Sequence, residues 1–185
     1  MSVSVETSVK WTYDRMVSNL PPDSRYEIIH NEIYAMPSPN TKHQRISRNL
    51  QFKLDSFVQQ HKVGELFNAP FDVILDQDNT VQPDIIFVST ANAGIITDRA
   101  VEGVPDLLIE IISPSSFYRD SEIKKELYQK YGVKEYWIVD PANEIVEIFT
   151  LKDKKYELHL FDSAKGKISS LIVVGLEINL QEIFT

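Results

Sequence analysis

Two acidic residues lie in strongly apolar segments that are typical of β-strands. Glu110 interrupts the aliphatic run 107–112, and Asp84 precedes the run 85–88. Alternation puts apolar side chains on both faces of the first run, which indicates a central strand covered on each side. A carboxylate buried there must be neutralised, paired or bound to a cation. Because hard cations prefer oxygen ligands, Asp84 and Glu110 predict a shared divalent-metal site.

The helix predicted after Glu110 carries a lysine on its apolar side. At about 100° per residue, Lys124 lies one turn after Asp120, whereas Lys125 faces the opposite side. The inward stripe comprises Phe117, Asp120, Ile123, Lys124, Leu127, Tyr128 and Tyr131. An inward lysine requires an anionic partner. Two interpretations of Lys124 stay open: a catalytic group, or a structural ion pair with Asp120 or Glu110.

These residue types match the chemistry of phosphodiester hydrolysis. That reaction needs an activated water, stabilisation of the charge developing on phosphorus, and protonation of the leaving group. A cation held by Asp84 and Glu110 would supply the first two. Lys124 would orient or deprotonate the water, or stabilise the developing charge.

The remaining elements predict one α/β domain over residues 1–185, with 1–24 as an N-terminal helical extension. Helices are expected over 7–18, for about twenty residues from Thr41, and from Ser115 or Ser116, as N-cap, to Gly132. Strands are expected over 25–29, 32–36, 66–69, 71–75, 84–88, 107–112, 135–139, 144–150 and 155–160. Turns are expected at 30–31 and 76–79, a polar connection over 89–105, and a docked amphipathic tail over 176–184. The order predicts a central sheet flanked by helices.

Composition limits the classes of function. The chain has 185 residues, 43% of them hydrophobic, and no cysteine, which excludes disulfides and thiolate metal sites. It starts without the apolar stretch of a signal peptide and contains no run of about twenty apolar residues, so we expect a soluble, cytoplasmic protein without membrane contact. The formal net charge of −8 counts against general nucleic-acid binding, but less against a nuclease, whose carboxylates must hold a cation.

The first long helix offers the best local basic surface. Lys42, Arg45 and Arg48 share its polar side and are candidates for contacts with phosphates, although a solvated helix face is the favoured interpretation. His43 lies on the inward side of the same helix. A single inward histidine is more often a core residue than a functional one.

At these residues the sequence resembles the PD-(D/E)XK nuclease superfamily and, within it, the Uma-type restriction-endonuclease family. Pro83-Asp84 matches the first acidic element, and Glu110 lies in the signature over 103–115. Asp120, Lys124, Tyr128, Gly132-Val133 and the segment 135–141 also match. The superfamily's usual lysine, two residues after the second acid, is replaced by Ile112. The resemblance implies that its role has moved to Lys124.

The resemblance spans roughly residues 25 to 185 and implies a restriction-endonuclease-like fold, with a central mixed β-sheet flanked by α-helices. It implies Mg²⁺ or Mn²⁺ as cofactor and DNA as substrate. By resemblance, Glu27 is a further acid near the metal and His43 points into the same cleft; Asp120 joins them as a second-tier candidate.

The leading hypothesis is a metal-dependent DNA endonuclease with Asp84, Glu110 and Lys124 as catalytic residues. Two alternatives remain: a nuclease-fold binding or regulatory module without cleavage, and a phosphodiesterase acting on a small substrate. A homodimer would suit double-strand cleavage.

Overall fold

Two β-sheets meet where the chain passes through Asp84. A computed structural model describes residues 9–21, 25–114, 116–163 and 165–185. The helices are α1 (Tyr13–Asn19), α2 (Thr41–His61), a 3₁₀ turn (Thr90–Ile95), a π-helix (Arg119–Lys124), α3 (Lys125–Tyr131) and α4 (Gln181–Phe184). The strands are β1 (Tyr26–Ile29), β2 (Glu32–Ala35), β3 (Gly64–Asn68), β4 (Asp72–Asp76), β5 (Asn79–Val81), β6 (Ile85–Ser89), β7 (Ala100–Glu102), β8 (Leu107–Ile111), β9 (Glu135–Asp140), β10 (Ile145–Lys152), β11 (Lys155–Ser163), β12 (Lys167–Ser169) and β13 (Glu177–Asn179).

The larger sheet has the order β11-β10-β9-β8-β6-β3, which places β8 in its interior. Strand β8 runs parallel to β9 and antiparallel to β6. Leu107, Ile109 and Ile111 pack with the apolar face of α2, while Leu108 packs on the other face with Tyr128. The predicted central strand, covered on both sides, is confirmed.

The smaller sheet has the order β2-β1-β5-β4-β7 and adjoins the second face of the larger one. Its first two strands form the predicted hairpin. His30 and Asn31 both adopt positive φ, at 52° and 65°, as a tight turn requires. Strand β5 belongs to this sheet and β6 to the larger sheet, so the short segment 82–84 connects the two.

Helix α2 confirms the expected long helix. Asn40 caps its N-terminus by accepting a hydrogen bond from the backbone N–H of His43 at 2.9 Å. Its buried residues recur at helical spacing and are Ile46, Ser47, Leu50, Leu54 and Val58. The predicted tail is also confirmed, because α4 packs on α2 and the Asn49 amide donates to the carbonyl of Ile183 at 3.1 Å.

The second helix departs from the prediction of one regular α-helix. Its Arg119–Lys124 turns are π-helical, so a constant 100° per residue does not apply there. Phe117 is 54% exposed, and its assignment to the inward stripe was wrong. Lys125 is half-buried, with its ammonium 3.6 Å from the centre of the Phe149 ring, so it does not simply face solvent. Gly132 ends the helix with φ +91°, as expected.

Other helix and strand boundaries also differ from the predicted ones. The N-terminal helix covers Tyr13–Asn19 rather than 7–18, whose first two residues lie outside the described residues. The predicted turn at 76–79 contains the first residue of β5, and the predicted polar connection contains the 3₁₀ turn and β7. Ser115 lies outside the described residues, and the Ser116 hydroxyl accepts from the backbone N–H of Ser113, so it is not a helix N-cap. Among the described residues, no helix is both long and apolar enough to cross a membrane.

Asp106 ties three segments together at the start of β8. Its buried carboxylate accepts hydrogen bonds from the Ser89 N–H at 2.8 Å, the Asn92 amide at 3.2 Å and the Lys134 ammonium at 2.6 Å. Burial raises the pKa of Asp106, but the bonds from Lys134 and Ser89 outweigh it and leave the pKa below its ordinary value of 3.8. The carboxylate form therefore stabilises the fold.

We expect Asp106→Ala to lower the free energy of unfolding by about 1–3 kcal/mol, because it leaves buried donors without an acceptor. Urea denaturation measures the change, and Asp98→Ala, at an exposed position, is the control. A carboxyl whose pKa falls on folding stabilises above its unfolded pKa. The advantage of the wild type should therefore be full above pH 3.8 and shrink as the pH falls through the lowered value. Equal urea midpoints for both variants at neutral pH would contradict this role.

Candidate active site

A cleft of about 280 Å³ opens at the junction of the two sheets. All three predicted catalytic residues line it, together with two of the second-tier residues. The lining residues that carry charge or can titrate are Arg25, His43, Asp84, Glu110, Arg119, Asp120 and Lys124. Three separate parts of the chain supply the predicted catalytic residues: the connection before β6, strand β8 and the π-helix.

Asp84 is held in a fixed orientation at the end of the β6–β8 ladder. Its Oδ2 accepts a hydrogen bond from the backbone N–H of Ile111 at 2.8 Å. The same oxygen lies 3.2 Å from Nε2 of His43. Its side chain is 18% exposed, which leaves the carboxylate accessible from the cleft. The backbone thus positions one oxygen precisely while the group stays open to a ligand.

Glu110 lies in the buried middle of β8, on the face opposite α2. Its Oε1 accepts hydrogen bonds from the Lys124 ammonium at 2.9 Å and from the Tyr128 hydroxyl at 2.8 Å. Both donors come from the helix that follows β8, as expected of a strand and its following helix. The described interactions of this side chain engage Oε1 and leave Oε2 without a hydrogen bond.

Lys124 is completely buried between three carboxylates. Besides Glu110, its ammonium lies 2.6 Å from Oε1 of Glu27 and 3.4 Å from Oδ1 of Asp120. Both ion pairs considered from the sequence are therefore present. The shortest contact, to Glu27, joins the smaller sheet to the π-helix and was not foreseen.

Three acidic side chains surround the single ammonium of Lys124. Burial alone would lower the pKa of Lys124, but the charges of Glu110, Glu27 and Asp120 hold it well above its ordinary value. Burial raises the pKa of Glu110 well above its ordinary value, and the neighbouring carboxylates raise it further, against the opposing effect of Lys124. One ammonium faces three buried carboxylates, so the site favours a proton on Glu110 or a further positive charge beside it.

The donor set fits a divalent cation only in part. The described residues contain no group of three or more His, Asp or Glu side chains arranged to hold a metal ion. Asp84 and Glu110 nevertheless line one cleft. Among the described residues, the buried Oδ1 of Asp120 beside them makes no hydrogen bond, although the Lys124 ammonium lies 3.4 Å away. Mg²⁺ is commonly held by one or two carboxylates and completed by water and substrate phosphate. The site has the chemistry for such an incomplete protein shell.

His43 lies at the cleft wall, although core packing was the favoured interpretation of its inward position. Its side chain is largely buried, and Nδ1 has no hydrogen-bond partner among the described residues. Burial alone would lower its pKa, but the hydrogen bond and charge of Asp84 raise the pKa above its ordinary value. His43 is therefore a direct electrostatic partner of the Asp84 carboxylate.

The basic residues of α2 lie outside the cleft itself. Lys42, Arg45 and Arg48 are all exposed, as the sequence predicted. Lys42 lies 3.6 Å from Glu144, and Arg48 lines a smaller cavity of about 160 Å³ that also borders Asp84. Arg25 and Arg119 line the cleft and were missed. Arg25 was treated only as the start of a strand. Arg119 was missed because α-helical phase was applied to a π-helical segment.

We expect Lys124→Met to lower the free energy of unfolding by about 3–5 kcal/mol, since it leaves buried carboxylates without their cation. Adding Glu27→Gln to this variant should recover part of the loss, because it removes one of the uncompensated charges. Urea denaturation at neutral pH measures both variants, with the exposed Lys130→Met as control. If Lys124→Met and Lys130→Met unfold at the same urea concentration, the cluster does not stabilise the fold.

Known proteins resemble this chain in fold and in sequence. A solved structure titled as a "putative nuclease belonging to DUF820" from Anabaena variabilis aligns with a TM-score of 0.76 and 19% sequence identity, covering 94% of this chain and 97% of the other. At this identity the likeness shows the shared fold. No curated protein matches the sequence significantly. The Uma2 family model, described as "Putative restriction endonuclease", matches residues 12–181. The chain belongs to this Uma2 family, as the sequence motifs predicted.

Proposed function

We propose that this protein is a metal-dependent endonuclease that hydrolyses DNA phosphodiester bonds. The observation that carries the proposal is the convergence of Asp84, Glu110 and Lys124 on one cleft from three separate elements. Family membership supports a nuclease-like activity. Mg²⁺ or Mn²⁺ as cofactor and DNA as substrate are parts of the proposal, as are a cytoplasmic location and the homodimer that would suit double-strand cleavage.

Each catalytic residue has a distinct part in the proposed reaction. Asp84 and Glu110 would hold the cation, which would supply activation of the water and positive charge beside the phosphate. Lys124 contacts three carboxylates, so it is an ammonium that stabilises charge and not a base that removes a proton. The Ile111 N–H fixes Asp84, and the Tyr128 hydroxyl and Lys124 together fix Glu110.

The net charge of −8 is that of the whole chain and differs from the local charge of the cleft lining. Arg25, Arg119 and Lys124 line its walls beside the acids, and His43 lies at the same surface. The exposed Arg48 of α2 lines a smaller cavity that also borders Asp84. The substrate backbone would meet this local surface, and the cation bound at the acids would make it more positive.

We expect the wild type to nick supercoiled plasmid DNA in the presence of Mg²⁺ or Mn²⁺ and not in EDTA. Asp84→Asn and Glu110→Gln keep the size of each side chain but remove its charge, and we expect each to lower the nicking rate at least about 100-fold. Agarose-gel assays under single-turnover conditions measure the rate. Asp98→Asn, at an exposed position, is the matched control. If the wild-type protein cleaves neither DNA nor RNA with either metal, the proposal is wrong for these substrates.

One specific observation favours a second candidate, a nuclease-fold binding module without cleavage. Glu110 Oε1 is already engaged by Lys124 and Tyr128, and the described residues lack a complete metal-ligand group. In such a module, the acids around Lys124 would have only a structural role.

Calorimetric titration with Mn²⁺ separates the two candidates. We expect the wild type to bind Mn²⁺ and both Asp84→Asn and Glu110→Gln to bind it at least tenfold more weakly, because each variant loses an anionic ligand. Asp98→Asn should bind like the wild type. Equal Mn²⁺ affinity in all four proteins, or no binding by any of them, would favour the binding module.

A further inference from the structure

Arg119 lies at the start of the π-helix and lines the same cleft as Asp84, Glu110 and Lys124. Its side chain is 15% exposed, so most of it is buried at the cleft wall. Neither the family motif nor the proposed reaction gives this residue a part. Its position raises the question of what the guanidinium binds.

The donors of Arg119 are poorly satisfied. Within the described residues, the buried Nε has no hydrogen-bond partner, and Oε2 of Glu27, the nearest carboxylate oxygen, lies 3.6 Å away. One terminal nitrogen lies 3.8 Å from Sδ of Met36, which is a weak acceptor. A guanidinium carries five N–H donors, and a buried one ordinarily finds strong acceptors. Arg119 therefore has donor capacity that the protein does not use.

Packing nevertheless holds the side chain in one place. The guanidinium carbon lies 5.6 Å from the centre of the Tyr34 ring, within range of a cation–π contact. Tyr34 is itself fixed, because its hydroxyl donates to Glu32 at 2.7 Å. A planar group that is already oriented loses little entropy when it binds an anion.

A purely structural ion pair with Glu27 explains this arrangement less well. Oε1 of Glu27 already accepts from the Lys124 ammonium at 2.6 Å and from the Gln82 N–H at 3.0 Å. An arginine evolved to neutralise Glu27 would make the two parallel hydrogen bonds that guanidinium and carboxylate favour. Here the contact to Oε2 is long and is not a hydrogen bond. Glu27 thus keeps the guanidinium nearby without saturating it.

We propose that Arg119 binds the non-bridging oxygens of the phosphate under attack and stabilises the charge that develops on them. This inference rests on the proposed nuclease function. In the reaction, the attacking water releases a proton to solvent as its oxygen forms a bond to phosphorus, the ester P–O bond breaks, and the leaving oxygen takes up a proton from solvent. Arg119 exchanges no proton and forms no covalent bond. Its planar fork of donors matches two phosphate oxygens, which a lysine cannot match.

The first test compares Arg119→Ala and Arg119→Lys with Arg99→Ala, an exposed arginine outside the cleft. We expect Arg119→Ala to lower kcat for nicking about 100- to 1,000-fold and Arg119→Lys to restore only part of it. Millimolar guanidinium ion should partly restore Arg119→Ala but not Lys124→Met, because only the first variant leaves a cavity of matching shape and charge. The Mn²⁺ affinity of Arg119→Ala, measured by calorimetry, should stay close to that of the wild type.

The second test measures binding without cleavage. Fluorescence anisotropy of a DNA oligonucleotide, with Ca²⁺ in place of Mg²⁺, follows affinity across a series of salt concentrations. Loss of one phosphate contact should lower the slope of log affinity against log salt by about 0.7–0.9 in Arg119→Ala and leave it unchanged in Arg99→Ala. A merely structural role for Arg119 would not change this slope selectively.

The outcomes separate the two proposals. Wild-type nicking with normal kcat and salt slope in Arg119→Ala overturns the role of Arg119 and leaves the nuclease function intact. A lowered kcat that guanidinium does not restore, with an unchanged salt slope and a lower urea midpoint, assigns Arg119 a structural role and also overturns the inference. Wild-type protein that neither nicks nor binds DNA overturns both. Rescue by guanidinium together with a reduced slope supports the phosphate contact.

Discussion

The burial of one ammonium group among three carboxylates is the constraint on which the site depends. Lys124 reaches Glu27 in the smaller sheet, Glu110 in the larger sheet and Asp120 in its own helix. An unpaired buried charge costs several kcal/mol, so the two sheets and the π-helix must keep the spacing that satisfies this group. The cleft forms where the three elements meet.

The same cluster links structure to chemistry. In the proposed function, the carboxylates beside Lys124 would hold a divalent cation next to a phosphate. The connection between the sheets delivers Asp84 to the edge of this cluster, and the Ile111 N–H orients it. Lys124 lies on the buried side of this cluster, whereas Asp84 lies on the side that is open to the cleft. A stable fold is therefore compatible with a charged cleft.

Local charge explains how an acidic chain can present a site for a polyanion. The net charge is −8, but arginines from two distant parts of the sequence, Arg25 and Arg119, line the cleft. Interactions between charges separated by more than about 8–10 Å are largely screened at physiological salt. The composition of the remaining surface therefore matters less to a bound phosphate than the few cations beside it.

The sequence by itself determined the central strand, the long helix, the hairpin and the interior positions of Glu110 and Lys124. Hydrophobic periodicity carries the information on these two residues, because a charged residue inside an apolar period must be buried with a partner. Asp84 was expected at the head of a buried strand, but it precedes β6 and its side chain is 18% exposed. Periodicity did not predict β5, β7 or the π-helix, whose short segments have no repeating pattern long enough to read.

Only the tertiary structure decided which partners meet. Glu27 is 97 positions from Lys124 in the sequence, yet their side chains make the shortest contact of the cluster, because β1 belongs to a sheet packed against the helix. Arg119 became visible as a cleft residue only once the π-helical turns replaced the regular α-helical phase. Sequence pattern sets which face of an element is buried, whereas the packing of sheets and helices sets which distant residues share a site.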